Sequence, residues 1–96
     1  MYMVEMEECR RRIALAQSLY TLTNHNPDFR AVITQGYLHD ATLAHALNIN
    51  ADKSGTIEFL KAAAAFKKYL DKIAAEGEQG QIDLRNYQEL LTQDAR

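Results

Sequence analysis

A stretch near the middle of the chain has the residue types and spacing of a calcium-binding loop. An EF-hand loop places oxygen ligands at alternate positions around a central glycine and closes with a bidentate glutamate at its twelfth position. With Gly55 as the central glycine, the ligand positions hold Asn50, Asp52, Ser54, Thr56 and Glu58. The twelfth residue is Lys61, whose ammonium group cannot coordinate a cation. We therefore expect a capped loop that leads into a helix, with a degenerate EF-hand-like calcium module as a remote alternative.

The other residues that could support chemistry lack the partners that their chemistry needs. His25, His39 and His45 do not have the spacing of three or four residues that places two imidazoles on one helical face, so the sequence predicts no zinc site. Cys9, the single cysteine, lies on an apolar helical stripe without a positional partner for nucleophilic attack. Neither a glycine-rich phosphate loop nor a nucleophile elbow is present. The sequence predicts a non-enzyme without a cofactor or metal.

The basic residues form a modest patch on one predicted helix. It consists of Lys61, Lys67, Lys68 and Lys72. Glu58 and Asp71 lie close by, and the whole chain carries 11 Lys and Arg against 13 Asp and Glu, a formal net charge of −2. A nucleic-acid-binding protein usually shows a basic excess or a basic face. The pattern favours a solvated helix face and argues against nucleic acid as a partner.

The composition predicts one soluble helical domain over residues 1–96. A single cysteine forms no internal disulfide, which is typical of a reducing compartment. No apolar run approaches the roughly 18 residues of a membrane span, so we expect a cytoplasmic protein without a membrane partner. One proline, four glycines and many Ala, Leu, Glu, Lys and Gln favour helix over sheet.

The second half of the chain carries an apolar seam, a series of positions spaced alternately four and three residues apart. Its members are Phe59, Ala63, Phe66, Leu70, Ile73, Gly77, Gly80, Leu84, Tyr87 and Leu91. The spacing predicts a long helix that begins near Thr56. Each interior glycine costs about 1 kcal/mol relative to alanine. Because the seam keeps its phase across both glycines, we expect the helix to continue, although a separate helix from Ile82 is the alternative.

Two shorter helical regions precede the long helix. The first runs from about Val4 to Thr23 and carries predicted ion pairs of Glu7 with Arg11 and of Glu8 with Arg12. The next region begins at Pro27, because Asn26 can cap the helix and proline suits the first helical position. We expect a short helix to about Gln35, a bend near Gly36 and a second helix from about Asp40 to Asn48, or else a single bent helix. The last residues, Thr92 to Arg96, are expected to fray.

Two tyrosines fall on or beside the apolar stripes. Tyr37 belongs to the middle region and Tyr87 to the seam. Aromatic side chains with a polar tip are favoured on surfaces that only a partner buries. They also complete the cores of helical folds, and the sequence leaves both roles open.

Several short segments follow one another in a distinctive order. They are Asn26-Pro27-Asp28-Phe29-Arg30, Val32-Ile33 with Gly36-Tyr37-Leu38, the alanine- and leucine-bearing segment to Leu47, Phe66-Lys67-Lys68-Tyr69-Leu70-Asp71-Lys72-Ile73 and Glu76-Gly77-Glu78. This ordered set resembles a group of small helical proteins that tailed bacteriophages encode among their head and packaging genes. The resemblance covers the chain from about Asn24 to Leu91, although residues 50–58 have no counterpart. It implies a non-enzymatic protein of virion assembly, or a virion component, and it carries over no site residues.

Together these patterns predict an all-α protein: a helical hairpin of the first and the long C-terminal helix, braced by a bent middle segment. A seam longer than one short protein can cover predicts a homo-oligomer, with Leu84, Tyr87 and Leu91 at the contact and Tyr37 as a further interface residue. The seam predicts further copies of the chain as partners, and the resemblance implies other phage proteins, in the bacterial host cytoplasm or in the virion. A small phage regulator that binds and inhibits a host protein is the alternative.

Overall fold

The computed structural model describes residues 2–94, and these residues form three helices. Helix α1 is Met3–His25, helix α2 spans residues 27–47, and helix α3 is Lys53–Asp94. Helix α2 consists of an α-helical start, Pro27–Phe29, a π-helical stretch, Arg30–Ala41, and an α-helical end, Thr42–Leu47. The described part of the chain contains no strand. The prediction of an all-α protein is confirmed.

The boundary between α1 and α2 follows from local chemistry at Asn26. This residue has extended backbone angles, φ −116° and ψ 100°, and its side-chain Oδ1 accepts a hydrogen bond of 3.0 Å from the backbone N–H of Phe29. Pro27 occupies the first helical position, where a backbone N–H would have no partner within the helix. The predicted start of the second helical region is confirmed.

Helix α2 continues through Gly36, so the middle segment is the single bent helix of the two predicted alternatives and not two separate short helices. Gly36 lies in the π-helical stretch, and π-helical turns bond each N–H to the carbonyl five residues earlier. A methyl group added at Gly36 would lie 2.6 Å from the carbonyl oxygen of Ala31, which is five residues earlier. Glycine fits at this position of the π-helical turn because it has no Cβ atom. Beyond it, the hydroxyl of Thr42 donates to the carbonyls of Leu38 and His39, both at 2.9 Å.

Helix α3 begins at a second side-chain cap and then runs without interruption. The Oδ1 atom of Asp52 accepts a hydrogen bond of 3.0 Å from the N–H of Gly55, so the helix starts at Lys53, before the expected Thr56. It continues through Gly77 and Gly80 to Asp94, which confirms the predicted continuation. Residues 95 and 96, which belong to the stretch expected to fray, lie outside the described residues.

The chain forms two compact units. We call residues 2–20 and 72–94 the glycine unit, because Gly77 and Gly80 form its helix contact, and Thr21–Asp71 the aromatic unit, because rings form its contacts. Each unit contains a part of α3, and each is described by itself below.

In the glycine unit α1 packs antiparallel against α3. The rings of Tyr2 and Tyr87 lie 5.4 Å apart, and further along the pair Cys9 faces Gly80 while Ala16 faces Gly77. From one contact to the next, the residue number increases along α1 and decreases along α3, so the two helices are antiparallel. Met6, Cys9 and Ile73 are the buried apolar side chains here. The predicted hairpin of the first and the long helix is confirmed.

In the aromatic unit α2 packs against the N-terminal half of α3. The ring of Tyr37 lies 5.5 Å from that of Phe59 and 5.8 Å from that of Phe66, and His45 stacks on Phe59 at 3.9 Å with an interplanar angle of 12°. Thr56 is buried and its hydroxyl donates to the carbonyl of His45 at 3.2 Å. Helix α2 therefore braces α3 through rings and one buried hydrogen bond.

Candidate interaction surface

The described residues bury few apolar side chains and expose many. The buried apolar residues are Met6, Cys9, Ala63 and Ile73. The exposed large apolar residues are Met3, Val4, Leu15, Tyr20, Leu22, Val32, Leu43, Leu47, Tyr69, Ile82, Leu90 and Leu91. Single apolar side chains on a surface are ordinary, whereas a group of them marks a contact site. The candidate functional site is therefore a place where such residues cluster.

One such cluster lies at one end of the glycine unit. Because α1 and α3 are antiparallel and Tyr2 contacts Tyr87, the start of α1 and the last turns of α3 lie at the same end. The exposed members include Met3, with 61% of its surface accessible, and Leu91, with 37%. We call this cluster the end surface and define it as Tyr2, Met3, Tyr87, Leu90 and Leu91.

The structure places the four predicted interface residues in two units. Leu84 and Tyr87 are half-buried in the glycine unit, and Leu91 is exposed on the same helix. Tyr37 is half-buried in the aromatic unit, where it contacts Phe59 and Phe66. Two of the predicted residues, Tyr87 and Leu91, thus belong to the end surface, and the participation of all four in a contact between molecules stays a prediction.

Sequence reasoning missed the contribution of α1 to the end surface. Tyr2 and Met3 precede the charged run of α1, and neither was among the predicted interface residues. Met3 is 61% exposed in the structure. The signal available was a pair of apolar residues ahead of an amphipathic helix, but only the antiparallel pairing with α3 places them at the same end as Leu90 and Leu91.

The EF-hand-like stretch is a turn followed by a helix. Asn50 and Asp52 precede α3, whereas residues from Lys53 onward belong to it, so three of the five ligand positions lie in its first turns. The carboxylate of Asp52 caps the helix, and the hydroxyl of Thr56 is bonded to His45 in a buried position. An EF-hand needs an irregular loop that turns its oxygens towards one cation. The arrangement is that of a capped helix start, as expected.

The other chemically capable side chains are engaged in packing or surface contacts. The Cys9 side chain is 3% exposed and lies beside Gly80. His39 contacts the carboxylate of Asp40 at 2.9 Å, and hydrogen bonds from His39 and Gln35 lower the pKa of Asp40. Within the described part of the chain, no three His, Cys, Asp or Glu residues are grouped as metal ligands. The core position of Cys9 agrees with the sequence prediction.

Helix α1 carries a network of ion pairs on its exposed side. Arg10 pairs with Glu7 at 2.8 Å, and Arg11 and Arg12 pair with Glu8 at 2.6 and 3.3 Å. The hydrogen bond from Arg11 is the main reason that the pKa of Glu8 falls to about 2. The predicted pair of Glu8 with Arg12 is observed, but Glu7 pairs with Arg10 instead of Arg11, because the side chains three residues apart approach more closely.

The lysine patch on α3 is partly neutralised. Lys67 pairs with Asp71 at 3.1 Å and Lys72 approaches Glu76 at 3.8 Å, and all four lysines are exposed. Exposed pairs of this kind contribute about 0.3–0.5 kcal/mol each on a helix. The geometry is that of a solvated helix face.

None of the helices in the described part of the chain combines the length and the apolar character that a bilayer crossing requires. Comparison of the chain with protein-family models, with curated proteins and with solved structures gave no match.

Proposed function

We propose that this protein acts by protein–protein contact and not by catalysis, and that the end surface of the glycine unit forms the contact. The observation that carries the proposal is the cluster of exposed apolar residues around the Tyr2–Tyr87 pair. Tyrosine supplies a large apolar ring together with a polar hydroxyl, a combination enriched in surfaces that partners bury. Burial of such a cluster is favourable by about 25 cal/mol per Å² of apolar area.

The setting that we propose for this contact is the assembly of a tailed bacteriophage particle. The support is the resemblance of Asn26-Pro27-Asp28-Phe29-Arg30 and the segments that follow it to small helical proteins of phage head and packaging genes. Under this proposal the partners are further copies of the chain and other phage proteins. The protein acts in the cytoplasm of the infected bacterium, as an assembly factor or as a component of the virion.

The contact at the end surface is tested by molar mass in solution. Light scattering over a concentration series should show a stable oligomer for the wild type. Leu91→Glu places a carboxylate on the end surface and should lower the mass, because burying an unpaired charge is strongly unfavourable. Leu84→Glu/Leu91→Glu should abolish the contact at the end surface, while circular dichroism shows that the protein keeps its helical content.

The matched control is Thr92→Glu, which adds the same charge at the next position, an exposed polar residue. This variant should keep the wild-type mass. If the Leu84→Glu/Leu91→Glu protein also keeps the wild-type mass, the end surface is not the contact.

The assignment to phage assembly needs a separate test. Mass spectrometry of purified particles and of head assembly intermediates should detect the chain in at least one of them. Its absence from both, with one-to-one capture of a host protein in its place, would overturn the assembly proposal.

A second candidate function is that of a small phage regulator that binds and inhibits a host protein. The observation that favours it is the half-burial of Leu84 and Tyr87 within the glycine unit. A seam that α1 already covers leaves less surface for self-association. This function is indicated by a monomeric wild type that binds one host factor with one-to-one stoichiometry.

A further inference from the structure

Helix α1 has a second face that its own unit leaves uncovered. Val4 and Leu15 are 80% and 42% exposed. Eleven residues correspond to about three helical turns, so these two side chains lie on one line along the helix. The buried residues Met6 and Cys9 lie on the opposite side, towards α3. The uncovered side is therefore a distinct surface.

Charged residues of both signs occupy the space between the two apolar side chains. Glu8 and Arg11 follow Val4 by four and seven residues, so they fall on the same line. Their side chains are 42% and 62% exposed. We call Val4, Glu8, Arg11 and Leu15 the outer face of α1.

The order of charges along α1 makes the outer face complementary to itself. Acidic Glu7 and Glu8 come first, and basic Arg10 and Arg11 follow. Two copies that meet antiparallel around a twofold axis at the middle of this run place Glu8 of each copy opposite Arg11 of the other. The same axis places Val4 of each copy opposite Leu15 of the other. A parallel pairing would instead oppose like charges, which is unfavourable.

The surface beside Val4 has room for an apolar side chain from a second molecule. A shallow depression of about 720 Å³ is lined by Met3, Val4, Glu7, Glu8 and Arg11. In the antiparallel arrangement the Leu15 side chain of the second copy lies at the Val4 end of this depression. A twofold axis repeats the contact, so each dimer contains two apolar contacts and two ion pairs.

We propose that the outer face of α1 binds a second copy of this chain in an antiparallel, twofold-symmetric contact. This inference deepens the proposed function and rests on its premise of self-association, but it assigns a surface other than the end surface. The partner is a second copy because the outer face, read in the opposite direction, places a basic residue opposite each acidic one.

The test uses two variants, each of which reverses one charge on the outer face. Glu8→Arg opposes two positive charges across the axis, and Arg11→Glu opposes two negative ones. Each variant alone should dimerise about tenfold more weakly than the wild type, as the loss of two exposed pairs and the new repulsion imply. Sedimentation or light scattering over a concentration series measures the dimer dissociation constant.

The decisive measurement is an equimolar mixture of the two variants. In a mixed dimer each interchain pair again joins opposite charges, although positions 8 and 11 within each chain carry like charges. The mixture should therefore recover dimerisation to near the wild-type level. A role limited to stabilising α1 predicts no recovery, because the pairs within each chain remain broken. Glu78→Arg, the same charge change on an exposed residue of α3, is the control and should dimerise as the wild type does.

Three results would overturn the inference: a wild-type monomer at all concentrations, single variants that dimerise as the wild type does, or a mixture no more associated than its components. The Leu91→Glu measurement separates the two proposals. If Leu91→Glu lowers the mass and the mixture shows no recovery, the outer face is not a contact and the end surface remains one.

Discussion

Helix α3 packs against α1 through two glycines, whereas it packs against α2 through aromatic rings. In the glycine unit, Gly77 and Gly80 let the α1 backbone approach, so that a methyl group at Gly80 would lie 3.1 Å from the carbonyl oxygen of Cys9. In the aromatic unit, Phe59 and Phe66 fill the space with rings that Tyr37 and His45 contact. One continuous helix therefore uses two packing modes.

Because their helix contacts differ, the two units should be disrupted by opposite kinds of mutation. A contact made by close backbone approach has no room for added atoms, so small-to-large changes should disrupt the glycine unit. A contact made by rings loses both buried area and packing when a ring is removed, so large-to-small changes should disrupt the aromatic unit. The predictions below test this division.

Removal of the central ring of the aromatic unit should have the largest effect. Phe59 contacts both Tyr37 and His45, and Phe59→Ala should lower the free energy of unfolding by about 3 kcal/mol through lost burial and a cavity. Urea unfolding followed by circular dichroism gives the magnitude, and hydrogen exchange shows whether the amides of Thr21–Asp71 lose protection first. Tyr69→Ala, at a residue 56% exposed, is the control and should change stability by less than about 0.5 kcal/mol. Equal effects of the two substitutions would contradict the prediction.

Addition of one methyl group to the glycine unit should have the next largest effect. A methyl group at Gly77 would overlap the Cβ atom of Ala16. Alanine favours a helix over glycine by about 1 kcal/mol, but overpacking typically costs about 1–3 kcal/mol, so Gly77→Ala should destabilise the protein. Thermal or urea unfolding measures the change.

The matched control removes the opposing methyl group. Ala16→Gly alone should be destabilising through helix propensity, yet in the Gly77→Ala/Ala16→Gly protein the overlap is absent and stability should exceed that of Gly77→Ala. A strictly additive double-mutant cycle would show that the two positions do not touch.

Acidification should have the smallest effect, and in the glycine unit it acts through Glu8. The pKa of Glu8 is lowered from 4.5 to about 2, so its ionised form is favoured in the folded protein. This contribution to stability is present above pH 4.5 and is lost as the pH falls towards 2. Thermal midpoints measured through this range should decline more for the wild type than for Glu8→Gln. A difference that persists unchanged at all pH values would have another origin.

Several elements were predictable because their determinants are local. The Asn26 cap and Pro27 at the first helical position both act within three residues of the start of α2. The apolar seam predicted that α3 continues through both glycines, because its four- and three-residue spacing stays regular only within one uninterrupted helix. The candidate end surface was only half predictable, because Leu91 belongs to the seam whereas Tyr2 and Met3 join it through a contact between distant parts of the chain.

Other features had no adequate local signal. The π-helical stretch Arg30–Ala41 differs from an α-helix by a shift of one residue in the hydrogen-bond partner. Gly36 indicated a departure from regular α-helix, but the sequence left open whether the bend separated two helices or lay within one. Likewise, both Arg10 and Arg11 are close enough along the helix to pair with Glu7. The sequence pattern favoured Arg11, whereas the side-chain positions in the structure show the pair with Arg10.

The sequence by itself determined that this protein is helical, where α2 begins, and which line of residues along α3 is apolar. These properties depend on residues within one or two helical turns of each other. The tertiary structure decided that Gly77 lies against Ala16, that His45 stacks on Phe59, and that the side of α1 with Val4 and Leu15 stays uncovered. Each of these depends on which face of one helix meets another, and that choice depends on packing between residues far apart in the chain.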